Sequence, residues 1–124
     1  MKIYQNAWFA KFARKEKISD HTLSDAITGI KRGSIDADLG GGLIKQRIAR
    51  PGAGKSGGFR TLIFFRQATR AVFVFGFAKS DQANLDANEI AMFKKAAKSV
   101  LALSQDQIDA EVKTGNLTEV NCGG

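Results

Sequence analysis

The chain has one cysteine and one histidine among its 124 residues, Cys122 and His21. A lone cysteine cannot close an internal disulfide, and one Cys with one His cannot build a zinc site. The expected compartment is reducing, hence cytosolic. No Ser/His/Asp or Cys/His arrangement gains support from spacing, and His21, early in a helical segment, reads as a surface residue. No apolar run approaches membrane-spanning length. Polar residues interrupt the first dozen positions too often for a signal-peptide core. The most informative absence is that of acid: Leu39 to Ser80 contains no Asp and no Glu.

What that stretch does contain is Lys45, Arg47, Arg50, Lys55, Arg60, Arg66, Arg70 and Lys79, a charge of +8 against +7 for the whole chain. The flanks carry +2 (Met1 to Asp38) and −3 (Asp81 to Gly124). One segment therefore holds the excess, as a localised site for a polyanion would. RNA, DNA, an acidic protein and an anionic membrane surface are the partner classes this charge admits. A length of 124 residues with 44% hydrophobic content fits one domain with a single core.

Periodicity supplies the elements. Lys2–Gln5 fits a short strand and Asn6–Lys15 a helix, with Phe9, Phe12 and Ala13 on one face and Trp8 beside them. Ser19 is a good N-cap for a second helix with the stripe Leu23, Ala26, Ile27, Ile30, closed by Gly33. Strand-like runs follow at Ile35–Leu39, Leu43–Ala49, Phe59–Arg66 and Ala71–Phe77. In the second of these Lys45 and Arg47 share one face. The last two are almost continuously apolar, which suits central strands covered on both sides. Their phenylalanines, Phe64, Phe65, Phe73, Phe75 and Phe77, are expected mostly in the core rather than as base-stacking platforms. Arg60, Arg66, Arg70 and Lys79 fall at strand ends, where a sheet rim meets solvent. Asp86 with Glu89 opens a third helix, and Ser104 with Gln107 a short fourth one through Val112. The expected organisation is one domain over 1–112 and a loose tail over 113–124.

The segment Arg50-Pro-Gly-Ala-Gly-Lys-Ser-Gly-Gly58 invites comparison with a nucleotide-binding loop. That motif needs Gly, four residues, then Gly-Lys-Ser or Gly-Lys-Thr, and must lead into a helix. Here the first position is Ala49, and the residues that follow enter a strand. ATP and GTP binding are excluded. A glycine-rich loop with a lysine that contacts phosphate oxygens remains. Asp36 and Asp38 on one strand face read as a solvated edge, with no metal site. Lysine and arginine are then the available chemistry. A guanidinium fork stabilises a pentacoordinate phosphate, and a lysine crowded by like charge can exchange a proton near neutral pH. RNA brings its own nucleophile, the 2′-hydroxyl.

The order of these features resembles the RelE/HigB-like toxins of type II toxin–antitoxin systems, in the RelE/ParE superfamily. The resemblance rests on a helical pair, Leu43-Ile-Lys-Gln-Arg-Ile48, Lys55-Ser-Gly-Gly-Phe-Arg60 and Val72-Phe-Val-Phe-Gly-Phe-Ala-Lys79, and spans roughly Lys2 to Val112. It implies an α+β, RelE-like fold: a small, mainly antiparallel sheet packed by an N-terminal helical hairpin, with C-terminal helix or helices. It implies an endoribonuclease that cuts mRNA on the ribosome and inhibits translation. It needs no cofactor and no metal, and 2′-hydroxyl attack leaves a 2′,3′-cyclic phosphate and a 5′-hydroxyl. The partners implied are a cognate antitoxin of helix-turn-helix type and ribosome-bound mRNA, with no membrane and no small-molecule substrate. Carried onto this chain, the catalytic candidates are Lys45, Arg47, Arg60 and Lys79, with Arg50 and Lys55 as RNA-binding residues. The tyrosine or histidine that several members carry towards the C-terminus is missing, since the one tyrosine is Tyr4. Two alternatives stand beside this reading: a gyrase-poisoning toxin of the ParE type, and a non-catalytic nucleic-acid-binding module.

Overall fold

The computed structural model describes residues 1–50, 54–78 and 85–121, with the backbone alone described at 50 and 54–57. Lys79 therefore lies outside the described residues, as do the side chains of Arg50 and Lys55.

In chain order the described elements are β1 (Lys2–Asn6), α1 (Ala7–Glu16), α2 (Asp20–Lys31), β2 (Ala37–Gly40), β3 (Leu43–Arg50), β4 (Gly54–Arg66), β5 (Arg70–Ala78), α3 (Ala87–Leu101), α4 (Gln105–Lys113) and β6 (Leu117–Glu119). The strands form one open sheet in the order β2-β3-β4-β5-β1-β6. Only the β1–β5 pair is parallel; the other pairs run antiparallel. This is the α+β, mainly antiparallel fold expected.

The helices start where local chemistry dictates. Asn6 Oδ1 accepts from the Phe9 N–H at 2.8 Å, and Ser19 Oγ from that of Thr22 at 3.2 Å. Asp86 with Glu89, and Ser104 with Gln107, form full capping boxes. Each such cap stabilises a helix by about 1 kcal/mol.

The sheet has two dry faces. Alternation along β3 and β4 sends Ile44, Ile48, Phe59 and Ile63 towards α1 and α2, where they meet Phe9, Leu23, Ile27 and Ile30. It sends Leu43, Leu62 and Phe64 the other way, onto Ala97 and Leu101 of α3 and Ile108 of α4. The continuous apolar runs of β4 and β5 follow from this double cover, and Phe64, Phe73 and Phe77 are core residues.

Three expectations change. Within the tail expected over 113–124, Leu117–Glu119 pair with β1 and Val120 is buried at 1% exposure, while residues 122–124 lie outside the described residues. Leu117 and Val120 supply two apolar anchors, too few to show a period. The glycine-rich segment is strand from Gly54 onward, paired with β3 through Arg50↔Gly54. At Gly58 a side chain would collide with the Ile48 carbonyl, so the two backbones approach as closely as they do because residue 58 is glycine. Finally, Arg70 is not at a solvent rim but buried, at 4% exposure.

Candidate nucleic-acid interface

Strands β3 and β4 bring cations together by register. Arg47 faces Arg60, and Lys45 faces Leu62. Leu62 packs towards α3, so Arg60, two residues away, emerges on that same face. Arg47 and Lys45 share it across the strand pair. Across β4 and β5, Arg60 faces Phe77 and Leu62 faces Phe75. Two rows therefore cross the sheet, one running Arg47–Arg60–Phe77 and the other Lys45–Leu62–Phe75. The three cations called from the sequence on these strands are thus brought together, with directly opposed residues about 5 Å apart at Cα.

Like charges opposed across strands are unfavourable unless something compensates. Among the described residues, no carboxylate pairs with the guanidinium of Arg47 or Arg60. Arg60 is half-buried, and its Nη1 is shielded from solvent with no hydrogen-bond partner among them. A buried N–H without an acceptor costs about 1–3 kcal/mol, more when charged. An anion with several acceptor oxygens would offset the repulsion and accept from Arg60 Nη1.

Four residues that the sequence did not point to shape this surface. Gln46, between Lys45 and Arg47, points to the opposite face and is buried. Its Nε2 donates to the Ser34 carbonyl at 2.8 Å and its Oε1 accepts from the Asp36 N–H at 3.0 Å. Thr61 Oγ1 donates to the Gln46 carbonyl at 2.9 Å. These bonds fix the approach to β2, so that Asp36 accepts from the Arg47 N–H at 2.6 Å. A carboxylate thus sits at the edge of a site whose own segment has none, held by backbone rather than by guanidinium. Gly58, the fourth, sets how closely β3 and β4 approach beside the Arg47–Arg60 pair. The signal for Gln46 was present, as the polar residue that alternation places on the same face as Ile44 and Ile48. For Asp36, Thr61 and Gly58 the partners are distant in sequence.

Other candidates resolve structurally. His21 is exposed and pairs with Asp25 at 3.3 Å. Tyr4 is buried, its hydroxyl accepting from Gln105 Nε2 at 3.0 Å, so it belongs to the α4 packing. Arg66 Nη1 donates to the Leu101 carbonyl at 3.3 Å. Arg70 Nη1 donates to those of Val100 and Leu103 at 3.2 and 2.8 Å. Both arginines therefore serve the C-terminus of α3. A cleft of about 650 Å³ lies between α2 and β3, lined by Gln46, Arg47 and Ile48 on the strand side. Among the described residues no three His, Cys, Asp or Glu side chains are grouped to hold a metal ion.

Residues 1–120 match the family described as RelE toxin of the RelE / RelB toxin–antitoxin system. The chain belongs to that family. No curated protein matches it. Membership makes the chain a toxin of a toxin–antitoxin system, with an antitoxin as its partner.

Proposed function

We propose that this RelE-family toxin is a ribosome-dependent mRNA endoribonuclease whose protein groups are lysine and arginine alone. The observation that supports it most is the Arg47–Arg60 pair, opposed on one face, with no carboxylate on either guanidinium and no partner for the buried Arg60 Nη1 among the described residues. A scissile phosphate supplies the missing charge, and more of it as the phosphorane forms. Binding therefore strengthens towards the transition state, which is the requirement for catalysis.

In this reading Arg60 and Arg47 hold the non-bridging oxygens. Arginine stays protonated and cannot act as a base. Of the three basic side chains only that of Lys45 can exchange a proton, and as the neutral amine it takes the role of general base. It removes the proton of the 2′-hydroxyl, becoming an ammonium, and the oxygen attacks phosphorus. The bond to the 5′-oxygen breaks, and that oxygen takes a proton from water. The products are a 2′,3′-cyclic phosphate and a 5′-hydroxyl. Lys79, Arg50 and Lys55 extend the contact with the RNA backbone. The antitoxin, of helix-turn-helix type, silences the toxin by covering or distorting the cation face.

Expression of wild type in growing bacteria, with primer extension on several messages, tests this. The expected result is growth arrest with cuts phased to codons. Lys45→Arg keeps the charge, yet should lower cutting by about 10²–10⁴-fold, the usual worth of a general base. Growth arrest with intact messages and damaged DNA would overturn the proposal in favour of a gyrase poison.

A further inference from the structure

The one tryptophan of the chain is among its more exposed residues. Trp8, in the first turn of α1, keeps 45% of its surface in solvent. An exposed Trp on a helix that buries its neighbour Phe9 completely calls for a reason.

Its position follows from where β1 stops. The β1–β5 register ends at Gln5↔Phe73, and the chain then turns into α1. Asn6 Nδ2 donates to the Val74 carbonyl at 3.1 Å and closes that pairing. Beyond this point the β1-side edge of β5 is met by the start of α1. Trp8 lies across it, stacked on Phe12 at 5.4 Å between centroids and on Phe75 at 4.6 Å. Phe12 belongs to the α1 layer, its ring occupying the space that a side chain at Gly76 would need. Phe75 belongs to the α3 face, against Phe93 at 5.6 Å, and is half-buried. Trp8 thus reaches round the sheet edge to the cation face.

There it continues a row already described. Lys45, Leu62 and Phe75 are successive partners across β3, β4 and β5, and Trp8 stacks on Phe75. At about 5 Å per strand, Trp8 stands about 15 Å from Lys45 along that row. Phe75 also touches Phe77, the residue opposite Arg60, at 6.0 Å. Trp8 and the half-buried Phe75 therefore lie on the same face as the cations, separated from them by the buried Leu62 and Phe77; cations and an accessible aromatic on one face are the combination by which single strands are held.

We propose that Trp8, backed by Phe75, is a stacking shelf for an RNA base a few nucleotides from the scissile phosphate. The inference rests on the RNA-cleaving reading above. It adds a positioning and specificity residue to that site, one that holds a base without touching the reacting atoms.

A single tryptophan makes its fluorescence specific to Trp8. The probe is a short single-stranded RNA with 2′-O-methyl riboses, which cannot be cut. Titration should quench the fluorescence saturably. Trp8→Leu should bind the labelled oligonucleotide about tenfold more weakly by anisotropy, since a base stack contributes about 1–3 kcal/mol and 1.4 kcal/mol is a factor of ten. Trp8→Phe should recover most of that loss. Oligonucleotides with one abasic position test the wild-type protein without any substitution. One of them should lose the same factor, and should lose nothing further on Trp8→Leu. Unchanged fluorescence on adding RNA, or equal affinity for every abasic oligonucleotide, overturns the shelf. Quenching by the antitoxin but not by RNA also overturns it, and marks a protein-binding surface instead. The two readings fail separately. Codon-phased cutting with silent Trp8 removes the shelf and leaves the nuclease, whereas quenching with no cutting on ribosomes does the reverse.

Discussion

Strand β4 carries an arginine at its middle, where the sequence suggested a strand end, and another at its C-terminal end, and each faces another arginine across a strand pair: Arg60 opposite Arg47, and Arg66 opposite Arg70. At the Arg66–Arg70 pair the fold itself answers the charge. Arg66 and Arg70 donate to carbonyls at and just beyond the C-terminus of α3, the negative end of that helix. Arg70 still has a buried Nε without a partner, so the compensation is incomplete, but its Nη1 has two acceptors. At the Arg47–Arg60 pair the described protein groups offer no acceptor to Arg60 Nη1 and no carboxylate to either guanidinium. The same residue pair is therefore a structural clamp at the end of the strand, and at its middle it is the proposed phosphate-binding pair. A surplus of positive charge in sequence does not distinguish the two. The acceptors do.

This contrast can be broken at either pair. The largest effect is expected at Arg60. Arg60→Ala should slow cleavage of ribosome-bound message about 10²–10³-fold, the cost of removing one preorganised donor to developing negative charge. Its melting temperature should stay level or rise, because a like-charge pair is relieved. A fall in stability matching the fall in rate would make Arg60 a structural residue like Arg70.

Arg70→Ala should do the opposite. Losing charge-assisted bonds to two carbonyls costs about 3 kcal/mol, read from the urea midpoint. The cleavage rate per folded molecule should not change. If it falls as far as in Arg60→Ala, the two pairs are not separate.

Gly58→Ala sharpens the comparison from the backbone side. The added methyl meets the Ile48 carbonyl, and strand β3 must shift against β4 beside the Arg47–Arg60 pair. The expected loss is about 1–3 kcal/mol of stability together with part of the activity. The smallest change is expected at the turn that joins the clamping arginines. Ala68 holds a left-handed φ of 63°, which glycine adopts without strain. Ala68→Gly should raise stability by up to about 1 kcal/mol with cleavage untouched, measurable as a higher melting temperature.

How much of this was legible beforehand follows the range of each interaction. Helix starts at Ser19, Asp86 and Ser104 could be read because a cap bonds only three residues ahead. Strands β3, β4 and β5 could be read from alternation and apolar runs, and so could the shared face of Lys45 and Arg47. Strand β6 could not, because Leu117–Glu119 is a strand only by virtue of β1, more than a hundred residues earlier. The division of the eight basic residues was equally hidden. Arg70 looks no different from Arg60 until α3, about thirty residues on, folds back to receive it. Trp8 read as one more apolar residue of α1; its reach to Phe75 depends on where the parallel pairing of β1 ends.

In the proposed reaction the protein supplies only lysine and arginine side chains, and the message supplies the nucleophile. The most direct test is single-turnover cleavage of a ribosome-bound message with one 2′-deoxy ribose immediately 5′ to the phosphate normally cut. The account predicts that cutting at that phosphate stops while toxin binding is kept, and that the all-ribose message yields a 2′,3′-cyclic phosphate. Cutting that persists at the 2′-deoxy position would contradict it, because the nucleophile would then have to come from elsewhere.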